Sequence, residues 1–191
     1  MKKYLAVLLL FCLVTEIYAE NDNALYSGGM LIFQPGITMA TNEYQHIKTY
    51  SNSIGGILRI YFCKNFTAGL YGGNQKSIYK TTESENSFIN LGYGGPFLGF
   101  SRKFGKFRYT ASAFIGMGSI QNLHIESQVD NTLTDAKLFK SPILLYSPIL
   151  SLDYAITKRI YFTVQTICLT GSYQDKPIYN PTLQLGILFS R

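Results

Sequence analysis

Arg59, Arg108 and Asp153 each fall on the polar side of a stretch that alternates apolar and polar residues. A carboxylate facing guanidinium groups makes an ion pair, and inside a protein such charges must be matched, because an unpaired buried charge is strongly unfavourable. The chemistry has two readings. One is a structural plug that fills and locks an interior. The other is a gate or a contact for a passing ligand.

The second candidate is His124-Ile125-Glu126-Ser127, one of the chain's two histidines (His46 is the other) beside an acid and a hydroxyl. Lipid hydrolysis needs the histidine and the serine on one face. In an extended strand this spacing sends them to opposite faces, with Glu126 on the histidine's side. A catalytic set therefore requires the segment to curl, and a lipid-modifying enzyme is the least favoured class. No metal-ligand spacing, P-loop or dinucleotide fingerprint occurs, so no cofactor is expected.

A third group is basic. Lys64, Arg102, Lys103, Lys106, Lys158 and Arg159 cluster in or beside the shortest connectors, with no acid among them. Cations at an interface attract anionic head groups; the plainer reading is a solubilising rim. No aromatic and basic stripe shares a single polar groove, so nucleic-acid binding is not indicated.

The elements that would position these residues come from periodicity. The chain divides into about eight stretches with period-two alternation, the pattern of half-buried strands. In 106–120, Phe107, Tyr109, Ala111, Ile115 and Met117 share one face and Arg108, Thr110, Ser112, Gly116 and Gly118 the other. Similar patterns run near 27–40, 53–63, 66–74, 142–156, 159–173 and 181–190. The stretch 89–100 changes apolar phase at Gly94-Gly95-Pro96, which predicts a β-bulge. Pro35, Pro96, Pro142 and Pro148 each remove a ladder donor and ask for bulges or strand ends.

Connectors alternate long and short: 41–52, 74–86, 121–140 and 174–180 against Cys63-Lys64-Asn65, Lys103-Phe104-Gly105 and Ile156-Thr157-Lys158. In an antiparallel meander this gathers long loops at one end and tight turns at the other, as in transmembrane β-barrels. The polar face holds Gly, Ser, Thr, Gln and Asn with few charges. A water-facing surface would carry more Lys and Glu, so the polar face is read as the interior and the apolar face as the lipid side. Only 15% of residues are charged. Phe62, Phe66, Phe100, Phe107, Tyr154 and Phe162 gather at the short-turn end as an aromatic girdle.

The first residues read as a secretory leader: Met1-Lys2-Lys3, an apolar run from Tyr4 to Val14, and Ala19 before the expected cut. This divides the chain into a signal peptide, 1–19, and a barrel domain, 20–191. Cys63 and Cys168 lie too far apart along their strands to meet and are read as free thiols.

These features resemble the small eight-stranded bacterial outer-membrane barrels, the OmpA-like and OmpX-like type, across residues 27–190. Such barrels commonly end on an aromatic residue read by the barrel-assembly machinery; here Phe189 is followed by Ser190 and Arg191. The resemblance implies an all-β, eight-stranded antiparallel up-and-down barrel in a bacterial outer membrane, with the bilayer and the assembly machinery as partners. It transfers no function. The expected role is structural or surface-interacting through outward loops. The alternative is a narrow pore or a carrier for a small apolar molecule, since Gly55, Gly69, Gly116 and Gly186 on the polar face would leave room inside.

Overall fold

The computed structural model describes residues 26–62, 65–82, 84–129 and 132–190. The expected leader, 1–19, lies outside them, as do Cys63 and Lys64. Nine strand segments follow in order: β1 (Tyr26–Phe33), β2 (Gly36–Thr41), β3 (His46–Phe62), β4 (Phe66–Tyr79), β5 (Ser87–Phe104), β6 (Phe107–Val129), β7 (Thr132–Ala155), β8 (Ile160–Tyr173) and β9 (Lys176–Ser190). Sequential neighbours pair antiparallel from β3 to β9, and β1 and β2 close the sheet by pairing with both β3 and β9.

β1 and β2 are one barrel strand. Phe33 stands opposite Ile54 and Leu185, Gly36 opposite Ser51 and Thr182, so the register runs unbroken across Gln34-Pro35. Pro35 lacks the donor that would continue the ladder, but its carbonyl still accepts Leu183 N at 3.0 Å. Nine segments thus make eight barrel positions. Pro96, Pro142 and Pro148 also sit at ladder gaps. Pairing of β5 with β6 skips Gly95 and Pro96, pairing of β7 with β8 skips Ser147 and Pro148, and Pro142 precedes the first β8 partner at Leu145. At the Pro148 gap the Ser147 hydroxyl accepts Cys168 N at 3.0 Å. Cys168 is a free thiol.

The expected β-bulge at Gly94-Gly95-Pro96 is absent. Register continues from Gly94↔Met117 to Phe97↔Phe114, and odd-numbered residues point inward throughout. What changes is the nature of the two faces. Ile89, Leu91 and Tyr93 are buried inside, whereas Leu98 and Phe100 face outward. The same inversion occurs on other strands. In β3, Ile47 points in and Ile54, Leu58 and Ile60 point out; in β8, Ile167 and Leu169 point in and Phe162 points out; in β9, Ile178 points in and Leu183 to Phe189 alternate outward. A belt of outward apolar side chains therefore encircles the turn-end half, while the opposite half buries aliphatics such as Ile47, Ile89 and Ile178 beside polar Thr38, Ser51, Ser77 and Asn180, and its exterior mixes Lys48, Lys76 and Lys140 with Tyr50, Ile78 and Leu138.

The expected long loops are mostly strand. β3 begins at His46, β4 reaches Tyr79, β6 and β7 leave only 130–131 between them, and β8 and β9 join at Gln174-Asp175, both with positive φ. That last connection is a two-residue hairpin turn with the twist antiparallel strands favour. The described bulge lies in the β6–β7 hairpin, at Ser127. β7 pairs with β8 only from Leu145 onward, so the hairpin beyond projects above the rest of the rim.

Candidate functional site in the barrel lumen

Inward residues of β3, β7 and β8 meet near the turn end. Arg59 and Asp153 are both almost wholly buried, and Arg59 Nη1 lies 3.1 Å from Asp153 Oδ2. The carboxylate also accepts the Tyr61 hydroxyl at 2.8 Å and the Thr163 hydroxyl at 2.8 Å. Arg59 Nη1 donates to the Tyr61 hydroxyl at 2.9 Å, and Nη2 donates to Gln165 Oε1 at 3.0 Å. Its guanidinium carbon is 6.0 Å from the centre of the Phe97 ring. Charge, hydrogen bonds and aromatic faces together offset the burial of the ion pair, with Arg59 Nε left without a hydrogen-bond partner.

The expectation put Arg108 first as the partner of Asp153 and Arg59 second. Arg108 does stand directly opposite Asp153 in the β6–β7 ladder. The 3.1 Å contact nevertheless belongs to Arg59, which crosses the lumen from the far wall. Arg108 sets its guanidinium 4.0 Å over the Tyr61 ring. The lumen is narrow enough for a long side chain to span it, so ladder neighbours are not the only partners within reach.

A second cluster adjoins the first. Gln165 Nε2 donates to Gln184 Oε1 at 2.6 Å, and Gln184 Nε2 donates to Gln34 Oε1 at 2.9 Å and to the Tyr71 hydroxyl. Gln34 Oε1 also accepts the Tyr93 hydroxyl at 2.7 Å and the Tyr71 hydroxyl at 2.9 Å. One hydrogen-bonded chain therefore runs from Asp153 through Arg59, Gln165, Gln184 and Gln34 to Tyr93, bracing β7, β3, β8, β9, the β1–β2 junction and β5 against one another. Sequence reasoning missed the glutamines and tyrosines. Their signal was a run of inward polar residues with long side chains where the neighbouring inward positions are glycines.

Those glycines do not leave room. A side chain at Gly55 or Gly73 would run into Gln34, one at Gly69 into Phe97, one at Gly116 into Phe114, and one at Gly186 into Met30. Small residues on one strand are filled by large ones from another, so the space expected for a pore or carrier is occupied. Tyr71 and Tyr93 pack at 5.4 Å between ring centres and Tyr71 and Phe114 at 5.2 Å, across the same level.

No family model matches the chain, and no curated protein matches it in sequence. Solved structures do. Ail, the attachment invasion locus protein of Yersinia pestis, superposes with a TM-score of 0.53 at 11% identity, covering 87% of this chain and 100% of that one. Neisserial surface protein A gives 0.51 at 8% identity, covering 88% and 99%. The outer membrane protein OprG from Pseudomonas aeruginosa gives 0.50 at 12%, covering 86% and 96%. This is the fold of the small outer-membrane β-barrels.

The far mouth of the barrel is a separate feature. β6 continues as strand past His124 to Val129, with the bulge at Ser127. His124 stacks on Tyr44 from the β2–β3 loop, with ring centres 4.2 Å apart, and its Nδ1 lies 3.2 Å from the Tyr79 hydroxyl. Glu126 pairs with Lys137 at 2.8 Å rather than with the histidine. Burial lowers the His124 pKa, and the Lys137 hydrogen bond lowers that of Glu126. His46 is exposed, with Nδ1 2.8 Å from the Thr41 hydroxyl. Of the basic rim, Arg102, Lys103, Lys106, Lys158 and Arg159 are exposed at the turn end. The expected aromatic girdle is a set of ring contacts there: Phe62 with Phe66 at 6.0 Å, Phe66 with Phe100 at 5.7 Å, and Phe107 with Tyr154 at 5.1 Å.

Proposed function

We propose that the chain is an integral protein of a bacterial outer membrane, delivered by its leader and built as a braced, plugged barrel that presents the β6–β7 hairpin to the outside. The observation that carries this is the inversion of faces along the strands. An outward apolar belt suits lipid, and a lysine-bearing exterior over inward aliphatics suits water. One strand carries both patterns only where it leaves the bilayer. The Arg59–Asp153 pair and the glutamine–tyrosine chain then serve as a structural plug, since they join strands from opposite walls and fill the space the glycines leave. A surface-contact role rests on the projecting hairpin. It carries an unpaired β7 edge and exposed side chains from Thr134 to Leu138, and exposed strand edges invite pairing with another chain.

The test is folding from urea into phosphatidylcholine vesicles. The expected product has a β-type circular dichroism spectrum and migrates anomalously on gels when unheated. Protease added to intact cells is expected to cut within 121–140 and to spare the turns at 105 and 156–159. A soluble monomer in plain buffer excludes the reading, and cleavage at those turns reverses the orientation.

A further inference from the structure

The turn end carries a charge pattern that the plug does not use. β5 joins β6 around Gly105, whose positive φ makes the tight turn, and β7 joins β8 through 156–159. These two turns are neighbours: Ala155 N donates to Lys106 O at 2.9 Å. Arg102, Lys103, Lys106, Lys158 and Arg159 are all exposed on them, and residues 99–110 and 154–166 contain no acid. Among the described residues the carboxylate close by, Asp153, points inward and is already paired. Two apolar tips stand among the cations, Phe104 at 78% exposure and Ile156 at 58%.

Unopposed cations alone would suit any solvated rim. Large apolar side chains left bare in the same turns would not, because in water they add exposed hydrophobic surface. Cations and apolar tips together fit an interface of phosphate above hydrocarbon, where long basic side chains reach the head groups and the apolar tips enter the acyl region. The girdle rings of Phe107 and Tyr154 lie just inside these turns and mark the same boundary.

We propose that the β5–β6 and β7–β8 turns form a docking surface for anionic phospholipid head groups in the leaflet at the turn end. Arg102, Lys103, Lys106, Lys158 and Arg159 take the phosphates, and Phe104 and Ile156 sit among the upper acyl carbons. This rests on the membrane reading above. The contact selects lipid by charge, so one side of the barrel would gather anionic lipid while the rest of the belt stays indifferent to head group.

The chain has no tryptophan, so Phe104→Trp gives a single reporter at the surface, with Ile156→Trp as a second should the first fail to fold. The reporter protein is folded into phosphatidylcholine vesicles containing either brominated phosphatidylglycerol or brominated phosphatidylcholine, and quenching is compared. The expected result is a preference for phosphatidylglycerol of about fivefold or more, the share that one surface cation supplies. It should shrink with salt and fall to near unity when the five basic residues are changed to Gln. Inorganic phosphate should reduce it no more than sodium chloride of equal ionic strength. Equal quenching by both lipids overturns the proposal, as does a preference that survives the five changes. A preference abolished by phosphate alone assigns the surface to the free ion instead. Failure of the unheated protein to show anomalous gel migration in vesicles would overturn the membrane reading itself, and is seen before any lipid is compared.

Discussion

Arg59 and Asp153 meet at 3.1 Å from β3 and β7, strands that share no ladder. Their contact ties opposite walls of the barrel, as no backbone hydrogen bond can. Removing one partner of a buried pair typically costs ~3–5 kcal/mol, because the other charge is left behind. Asp153→Ala is therefore expected to lower the urea midpoint strongly. Ser151→Ala, two residues away, removes a buried hydroxyl with no hydrogen-bond partner and should change little. Replacing both charges, Arg59→Met with Asp153→Leu, should recover much of the loss. In planar bilayers the wild type should not conduct, and Asp153→Ala with Gln34→Ala should leak. Equal midpoints for Asp153→Ala and wild type would remove the plug.

The interior glycines make a sharper test of the filled lumen. A methyl at Gly55 meets the Gln34 side chain and a backbone carbonyl, whereas a methyl at Gly92 meets nothing within 4 Å. Overpacking of this kind typically costs ~1–3 kcal/mol. Gly55→Ala should destabilise by about that amount and Gly92→Ala should be near neutral, measured by urea unfolding from vesicles. A neutral Gly55→Ala would mean that Gln34 is free to move and that the lumen has slack.

The far mouth should respond to pH. The groups facing His124 are Tyr44 from the β2–β3 loop, Tyr79 from β4, Glu126 from β6 and Lys137 from β7. Burial lowers the folded pKa of His124 below its ordinary 6.5, so the open form binds the proton first. Its contribution is complete above pH 6.5 and is lost as pH falls through the folded value. Glu126, lowered mainly by its hydrogen bond from Lys137, acts in the same direction but below its ordinary 4.5. Both signs agree: acid loosens the mouth. Protection factors in 42–45 and 122–126, corrected for intrinsic exchange, should fall as pH is lowered below 6.5, and His124→Gln should remove that step. Unchanged protection, or a step that persists in His124→Gln, contradicts the assignment.

Much of the wall was legible from alternation alone. The inward and outward faces of 106–120, 159–173 and 181–190 are those the sequence pattern indicates, because a belt against an unlike interior gives period-two contrast its full strength. Beyond the belt the contrast reverses. Ile47, Ile89, Leu91 and Ile178 point inward there, and outward neighbours such as His46, Lys48 and Asn90 are polar. Read with one phase throughout, that reversal looks like a bulge at Gly94-Gly95-Pro96, and like loops at 41–52 and 74–86, where Lys48, Asn52, Asn74, Lys76 and Lys80 lie on the outer face. The charge cluster was partly legible. The inward side of Arg59 and Asp153 follows from parity, but a contact across the lumen depends on side-chain reach and barrel width, which no local pattern encodes. Gln34, Gln165 and Gln184 were invisible as a network for the same reason.

The central claim is that the belt faces lipid, and Leu58 tests it most directly. It points outward near the middle of the belt, with 61% of its surface uncovered by protein. In water, arginine at such a position would be tolerated or would improve solubility. At a bilayer midplane on the lipid face it costs about 2–4 kcal/mol. Unfolding by urea from phospholipid vesicles should therefore show Leu58→Arg less stable than wild type by that margin, with Lys76→Ala, outside the belt, unchanged. A Leu58→Arg protein that unfolds at the wild-type urea concentration, or that stays monomeric in buffer without detergent, would contradict the account.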